Sequence, residues 1–126
     1  MTFRIGKRFS FDAAHQLAGL APGHKCARMH GHTYTVEVIL TGETLVGPGF
    51  VTDFGDLTPF GAYLSSEVDH RVLNEVVPVE PTSELLAQYF AGWILDHLAQ
   101  TLNGRVERVR VSETPSSWAE YRVGSP

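Results

Sequence analysis

The chain has 126 residues, 43% of them hydrophobic and 19% charged, which suits one globular domain over residues 1–126 and excludes a disordered chain. A formal charge of −4 argues against nucleic acid as a partner, because phosphate-backbone binding needs a basic face. One cysteine allows no internal disulfide, and no stretch reads as a secretion signal or a membrane span, so a soluble, cytoplasmic protein without a membrane partner is expected.

Residues 2–15 alternate. Phe3, Ile5, Phe9, Phe11, Ala13 and His15 share one parity, with Lys7 the only polar interruption, so a half-buried strand is predicted. Residues 16–29 carry Gly19, Pro22 and Gly23 without a period and form a loop. Residues 32–41 alternate again, as a second strand antiparallel to the first. Asp53 or Asp56 caps a helix that tolerates Pro59 in its first turn and runs to about Val68, before a loop at Leu73 and Asn74. Thr82 or Ser83 caps a second helix, whose apolar stripe runs from Leu85 and Leu86 through Phe90 and Trp93 to Leu98. His97 lies near that stripe and is expected against the sheet or at a subunit contact. Val106 to Glu113 and Trp118 to Val123 make the last two strands. The order ββααββ predicts an α+β domain, a four-stranded antiparallel sheet with two helices on one face.

The reactive side chains concentrate in His24–His32, HKCARMHGH. In a strand, His30 and His32 point to the same face, two apart. Antiparallel pairing puts the end of the first strand, His15, beside the start of the second, so three imidazoles can converge. A lone inward histidine is more often a satisfied core residue, and a His-rich loop is often only a polar surface. Three imidazoles on zinc leave a fourth position open, as in a catalytic site. Cys26 either closes that site as a fourth ligand or acts beside it as a mobile base. Lys25 and Arg28 flank it, and nearby positive charge favours the thiolate. Imidazole ligands also suit iron, nickel or copper. Asp69-His70 reads either as an oriented proton-transfer pair or as a helix-end histidine favoured by the dipole. Glu113 is either a solvated strand end or a carboxylate that accepts two N–H donors from an aminopyrimidine-type ring. His24 fits no pattern and reads as a loop residue.

Six segments in register carry a resemblance: FDAAH (Phe11–His15), C-x3-HGH (Cys26–His32), VTDF (Val51–Phe54), DH followed by LN (Asp69–Asn74), PTSE (Pro81–Glu84) and SETP (Ser112–Pro115). Together they resemble the 6-pyruvoyltetrahydropterin synthase family over nearly the whole chain, and within it the bacterial branch of 6-carboxytetrahydropterin synthases. The three residues between Cys26 and His30 match that branch; the animal-type pyruvoyl enzymes carry a longer insert. A further branch, which acts like a dihydroneopterin aldolase, has Glu where this chain has Cys26. The resemblance implies the tunnelling fold (T-fold), with sheets closing into a barrel and two trimers stacking into a homohexamer. It implies zinc (Zn2+) on His15, His30 and His32, Cys26 as general base, and Asp69 with His70 as a proton relay from a neighbouring chain. Glu113 would anchor the pterin ring, here too across a subunit interface. Thr82 and Ser83 stand where the family has polar contacts near the pterin; many relatives carry Thr at the position of Ser83. Lys25, Arg28 or Arg8 would meet the triphosphate. The implied reaction converts 7,8-dihydroneopterin triphosphate to 6-carboxy-5,6,7,8-tetrahydropterin, releasing acetaldehyde and triphosphate, in queuosine (7-deazaguanine) synthesis. The rival expectations are a pyruvoyl-type synthase, which only eliminates triphosphate, and a non-catalytic zinc-dependent pterin-binding module.

Overall fold

A computed structural model describes residues 2–124. Strand β1 (Phe3–His15) pairs antiparallel with β2 (His30–Gly42) over their full length, from Phe3 opposite Gly42 to His15 opposite His30. Alternation decides the faces. Phe11, Ala13 and His15 are buried, whereas Arg8, Ser10 and Asp12 are exposed. A short parallel strand, β3 (Arg71–Val72), pairs with Ala13 and Ala14 of β1. On the other side β4 (Arg105–Thr114) pairs with β2, and β5 (Ser117–Arg122) pairs with β4. The sheet order is β3-β1-β2-β4-β5. The four antiparallel strands stand as expected. The fifth is an addition that the sequence hides, because two residues are too few to show a period.

The helical layer is more broken than two helices. Asp53 accepts from Gly55 N (2.8 Å) and starts a single turn, Phe54–Leu57, that leads into α1 (Thr58–Tyr63). Residues 64–68 continue as a wide turn, closed by Asp69 N donating to Leu64 O at 2.8 Å. A third helix, α2 (Leu73–Val76), replaces the loop expected at Leu73 and Asn74; it buries Leu73 completely. Helix α3 (Ser83–His97) is capped by Thr82, whose side chain accepts from Leu85 N at 3.1 Å.

One core joins the layers. Tyr34, Val36, Val38 and Leu40 of β2 and Val109 and Val111 of β4 meet Phe60, Leu64, Leu86, Phe90 and Ile94. Phe90 sits edge-on to both Phe11 and Phe60, so α3 is keyed to β1 and α1 at one point. Leu85 belongs to the predicted stripe but faces solvent. His97 does not pack on the sheet. It is exposed, stacks on Trp93 at 4.3 Å and donates from Nδ1 to the Trp93 carbonyl (2.8 Å).

Candidate active site

The paired ends of β1 and β2 bring His15, His30 and His32 together. Their rings lie 4.5–5.1 Å apart between centroids, and their ligand-capable atoms are all within 4.8 Å of one another. Two backbone carbonyls fix the tautomers. His15 Nδ1 donates to Pro81 O (2.7 Å), and His30 Nδ1 donates to Arg28 O (2.7 Å). In the neutral rings both Nε2 atoms are then lone-pair acceptors, yet they face each other at 2.9 Å. His32 Nε2 is buried without a hydrogen-bond partner. Burial, the largest influence, lowers the His32 pKa, with His15 and His30 adding to the effect and Glu113 opposing it. Two unprotonated nitrogens too close for lone pairs with no proton between, and an unpartnered imidazole nitrogen of His32 beside them, fit a cation. A tetrahedral zinc, about 2.0–2.1 Å from each nitrogen, would seat such nitrogens roughly 3.3 Å apart. The donor set therefore fits a metal, with one coordination position free for a further ligand.

Glu113 of this chain reaches its own imidazole cluster. Its Oε2 lies 3.7 Å from His32 Nε2. The register explains the placement. Ser112 pairs with Trp118 and Thr114 with Ser117, so Glu113 is the extra residue of a β-bulge. A bulge turns a side chain out of the regular ladder, and here it leaves a carboxylate on the imidazole face. Beneath it, Tyr34 is fully buried, stacks on Phe11 at 4.9 Å, and has an unpartnered hydroxyl. Burial first, and then the Glu113 charge, push the Tyr34 pKa far up, so Tyr34 stays a neutral phenol.

The loop holding Cys26 is tied to the same corner. Lys25–Ala27 form a single tight turn; Leu17 N donates to Cys26 O (3.1 Å), and Gln16 Nε2 donates to Ala27 O (2.9 Å). Gln16 and Leu17 follow His15 directly, and Arg28 supplies the carbonyl that fixes His30. The thiol is free and half-buried. His24 has a role that its sequence position did not suggest: its Nδ1 accepts from Cys26 N at 3.0 Å and caps the turn. The only sequence signal is a polar residue just before a short turn. Lys25 and Arg28 are exposed and make no ion pair among the described residues, which leaves their charge available. Arg8 faces the opposite side of the sheet and is paired with Glu37 (3.0 Å), so its charge is already answered. Pro81 touches His15, so Thr82 and Ser83 follow directly on a residue of the site, with the Thr82 hydroxyl oxygen engaged in its cap.

Asp69 and His70 form a close pair, Nδ1 to Oδ2 at 2.8 Å. Hydrogen bonds, chiefly from Asp12 N and then from His70, hold the Asp69 pKa below its usual range. The bond and charge of Asp69 raise that of His70. His70 sits at φ 60°, the one non-glycine residue among those described with positive φ. The pair clusters with the Asp12 carboxylate. Asp12 is three residues from His15 and therefore points to the other face of β1. Within one chain, His70 and the imidazoles thus stand on opposite faces of the same strand.

A model of the 6-pyruvoyl tetrahydropterin synthase family matches residues 4–124. A relative from Archaeoglobus fulgidus, provisionally named a 6-carboxy-5,6,7,8-tetrahydropterin synthase, is 41% identical over 120 residues, 94% of each chain. A dihydroneopterin monophosphate aldolase from Pyrococcus furiosus is 36% identical over 112 residues, 89% of each chain. Among solved structures, the 6-pyruvoyl tetrahydropterin synthase of Caenorhabditis elegans superimposes with a TM-score of 0.83 at 27% identity, covering 98% of this chain and 97% of the other.

Proposed function

The chain belongs to the 6-pyruvoyl tetrahydropterin synthase family, and on that premise we propose that this pterin lyase is zinc-dependent and converts 7,8-dihydroneopterin triphosphate to 6-carboxy-5,6,7,8-tetrahydropterin. Acetaldehyde and triphosphate are the other products, and the reaction serves 7-deazaguanine and queuosine synthesis in the cytoplasm. The observation that carries the reading is the convergence of His15, His30 and His32, with their Nδ1 protons given to carbonyls, beside the anchored Cys26 turn. The branch rests on Cys26 and on the three residues between it and His30.

When bound, zinc would polarise the side-chain oxygens of the pterin substrate and make the adjacent protons more acidic. His15, His30 and His32 would hold it. The Cys26 thiolate removes a proton from the substrate side chain, and the anchored turn limits where the sulfur can go. His70, whose pKa the bond and charge of Asp69 raise, returns a proton through Nε2, the nitrogen that Asp69 leaves free. Glu113 accepts two N–H bonds from the pterin ring. Lys25 and Arg28 answer the triphosphate charge, and Thr82 and Ser83 line the approach. The opposite placement of His70 and the imidazoles on β1 supports a site completed by a second copy. So do the free edge of β5 and the length of β1 that the two-residue β3 leaves uncovered, which suit strand-to-strand closure into the barrel and homohexamer of the T-fold. Among the described residues no helix is long and apolar enough to cross a membrane.

Product analysis tests the reading. Purified, zinc-loaded protein is incubated with dihydroneopterin triphosphate, and acetaldehyde, triphosphate and 6-carboxytetrahydropterin are expected in equal amounts. Triphosphate without acetaldehyde would move the assignment to a pyruvoyl-type synthase. Turnover of dihydroneopterin monophosphate alone would move it to the aldolase named among the relatives. Binding of pterin without any product would leave a binding module.

A further inference from the structure

We propose that Asp12, held by Thr33, is a positioning residue that fixes the Asp69–His70 pair and keeps the His70 ring charged for proton delivery. This rests on the relay role given to His70 above; neither Asp12 nor Thr33 has a part in that reading.

Asp12 holds the pair with three separate groups. Its backbone N donates to Asp69 Oδ1 at 2.8 Å, leaving Oδ2 for His70 Nδ1. Its carbonyl accepts from His70 N at 2.6 Å. Its carboxylate joins the cluster with Asp69 and His70, their ligand-capable atoms all within 4.8 Å of one another. That carboxylate is itself restrained: Thr33 Oγ1 donates to Asp12 Oδ1 at 2.5 Å. Thr33 lies directly across from Asp12 in the β1–β2 register, so the restraint is built into the sheet. Immediately beyond, Arg71 and Val72 pair with Ala13 and Ala14 and stop the segment from sliding.

The backbone at His70 shows that the grip carries load. A left-handed conformation is strained for a histidine and persists only where the surroundings over-determine it. Here the over-determining contacts are His70 N to Asp12 O and His70 Nδ1 to Asp69. An exposed imidazole loses its proton to water near neutral pH unless negative charge stands beside it. The Asp12 N–H favours the ionised form of Asp69, and the Asp12 carboxylate adds a second negative charge beside the ring. Both leave the proton on His70. The groups facing His70 are then Asp69 from its own segment, Asp12 from β1 and the neutral Thr33 from β2. Arg71, the next residue, is engaged elsewhere, donating to Ser66 O at 3.1 Å.

The test uses two near-isosteric variants of the full-length, zinc-loaded protein. D12N keeps every backbone contact and removes the charge. T33V keeps the charge and frees the carboxylate. For each, the His70 ring is titrated by NMR, and kcat and KM for dihydroneopterin triphosphate are measured across pH. D12N is expected to titrate His70 at lower pH than the parent, to move the alkaline limb of kcat the same way, and to lower kcat about tenfold with KM within twofold. T33V should shift both readouts in the same direction by less. A His70 titration that is the same in the parent and in both variants overturns the proposal. So does a parallel loss of kcat at every pH with no movement of the limb. The NMR titration needs no substrate, so the clamp stands or falls even if the protein turns over some other pterin.

Discussion

The Nε2 atoms of His15 and His30 face each other at 2.9 Å while each ring gives its Nδ1 proton to a carbonyl, Pro81 O and Arg28 O. Two lone pairs so placed repel unless a cation lies between them, and the third imidazole, His32, brings an unpartnered Nε2 to the same spot. Metal analysis of H15A, H30A and H32A should therefore find less than a tenth of the zinc held by the parent. Chelated parent protein should melt lower and recover on addition of zinc; metal at 100 times its Kd stabilises by about 2.7 kcal/mol. A full complement of metal in any of the three variants would refute this ligand set.

Cys26 sits in a turn anchored by Leu17, Gln16 and His24, outside the hydrophobic core. C26A should keep its zinc and its melting temperature while kcat falls by about 10²–10⁴-fold, the usual worth of a general base. Turnover within twofold of the parent would remove Cys26 from the chemistry.

The Asp69–His70 pair sets a pH dependence whose sign follows from the two shifts. The His70 pKa is raised above its ordinary 6.5, so its stabilising contribution is complete below 6.5 and disappears as pH rises through the folded value. That of Asp69 is lowered from 3.8, so its contribution is complete above 3.8 and disappears as pH falls through the folded value. The pair is at full strength between these limits. Both side chains face solvent, so activity is the sensitive readout. As the acid, His70 should keep kcat high above pH 6.5 and lose it on the alkaline side. D69N should move that limb to lower pH; a limb that stays put would exclude His70 as the proton donor.

Glu113 occupies a bulge rather than a regular ladder position, so its side chain is dispensable to the sheet. E113Q should raise KM for the pterin substrate by about 10- to 100-fold, the scale of a lost charge-assisted bidentate contact, with little change in melting temperature. Unchanged KM with a lowered melting temperature would assign Glu113 to stability.

Gly104 carries the chain from α3 into β4 at φ 84°, and a Cβ there would lie 2.9 Å from both Thr41 O and Val51 Cγ1. G104A should cost about 1–3 kcal/mol and lower the melting temperature by several degrees while zinc content holds. A neutral result would show that the end of β2 gives way without cost.

Period and spacing alone reached far into this protein. Alternation placed His15 on the inward parity of β1 and His30 and His32 together on β2. The antiparallel pairing that follows from that pattern predicted that the three would meet, because strand side chains have a strict period of two. A cap at Thr82 or Ser83 and one at Asp53 or Asp56 were legible for a similar reason, since capping is local chemistry, and the structure selects Thr82 and Asp53. What stayed hidden depends on contacts distant in sequence or on breaks in regularity. The bulge that frees Glu113, the two-residue β3, the wide turn at Leu64–Val68 and the left-handed His70 leave no periodic trace. The carbonyls of Pro81 and Arg28, which decide which imidazole nitrogen is available, belong to residues whose side chains say nothing of the task. Asp12 is the sharpest case. In sequence it is one polar residue of an alternating strand. Only the packed sheet, by setting Thr33 across from it and Asp69 beside it, makes it the residue that holds His70.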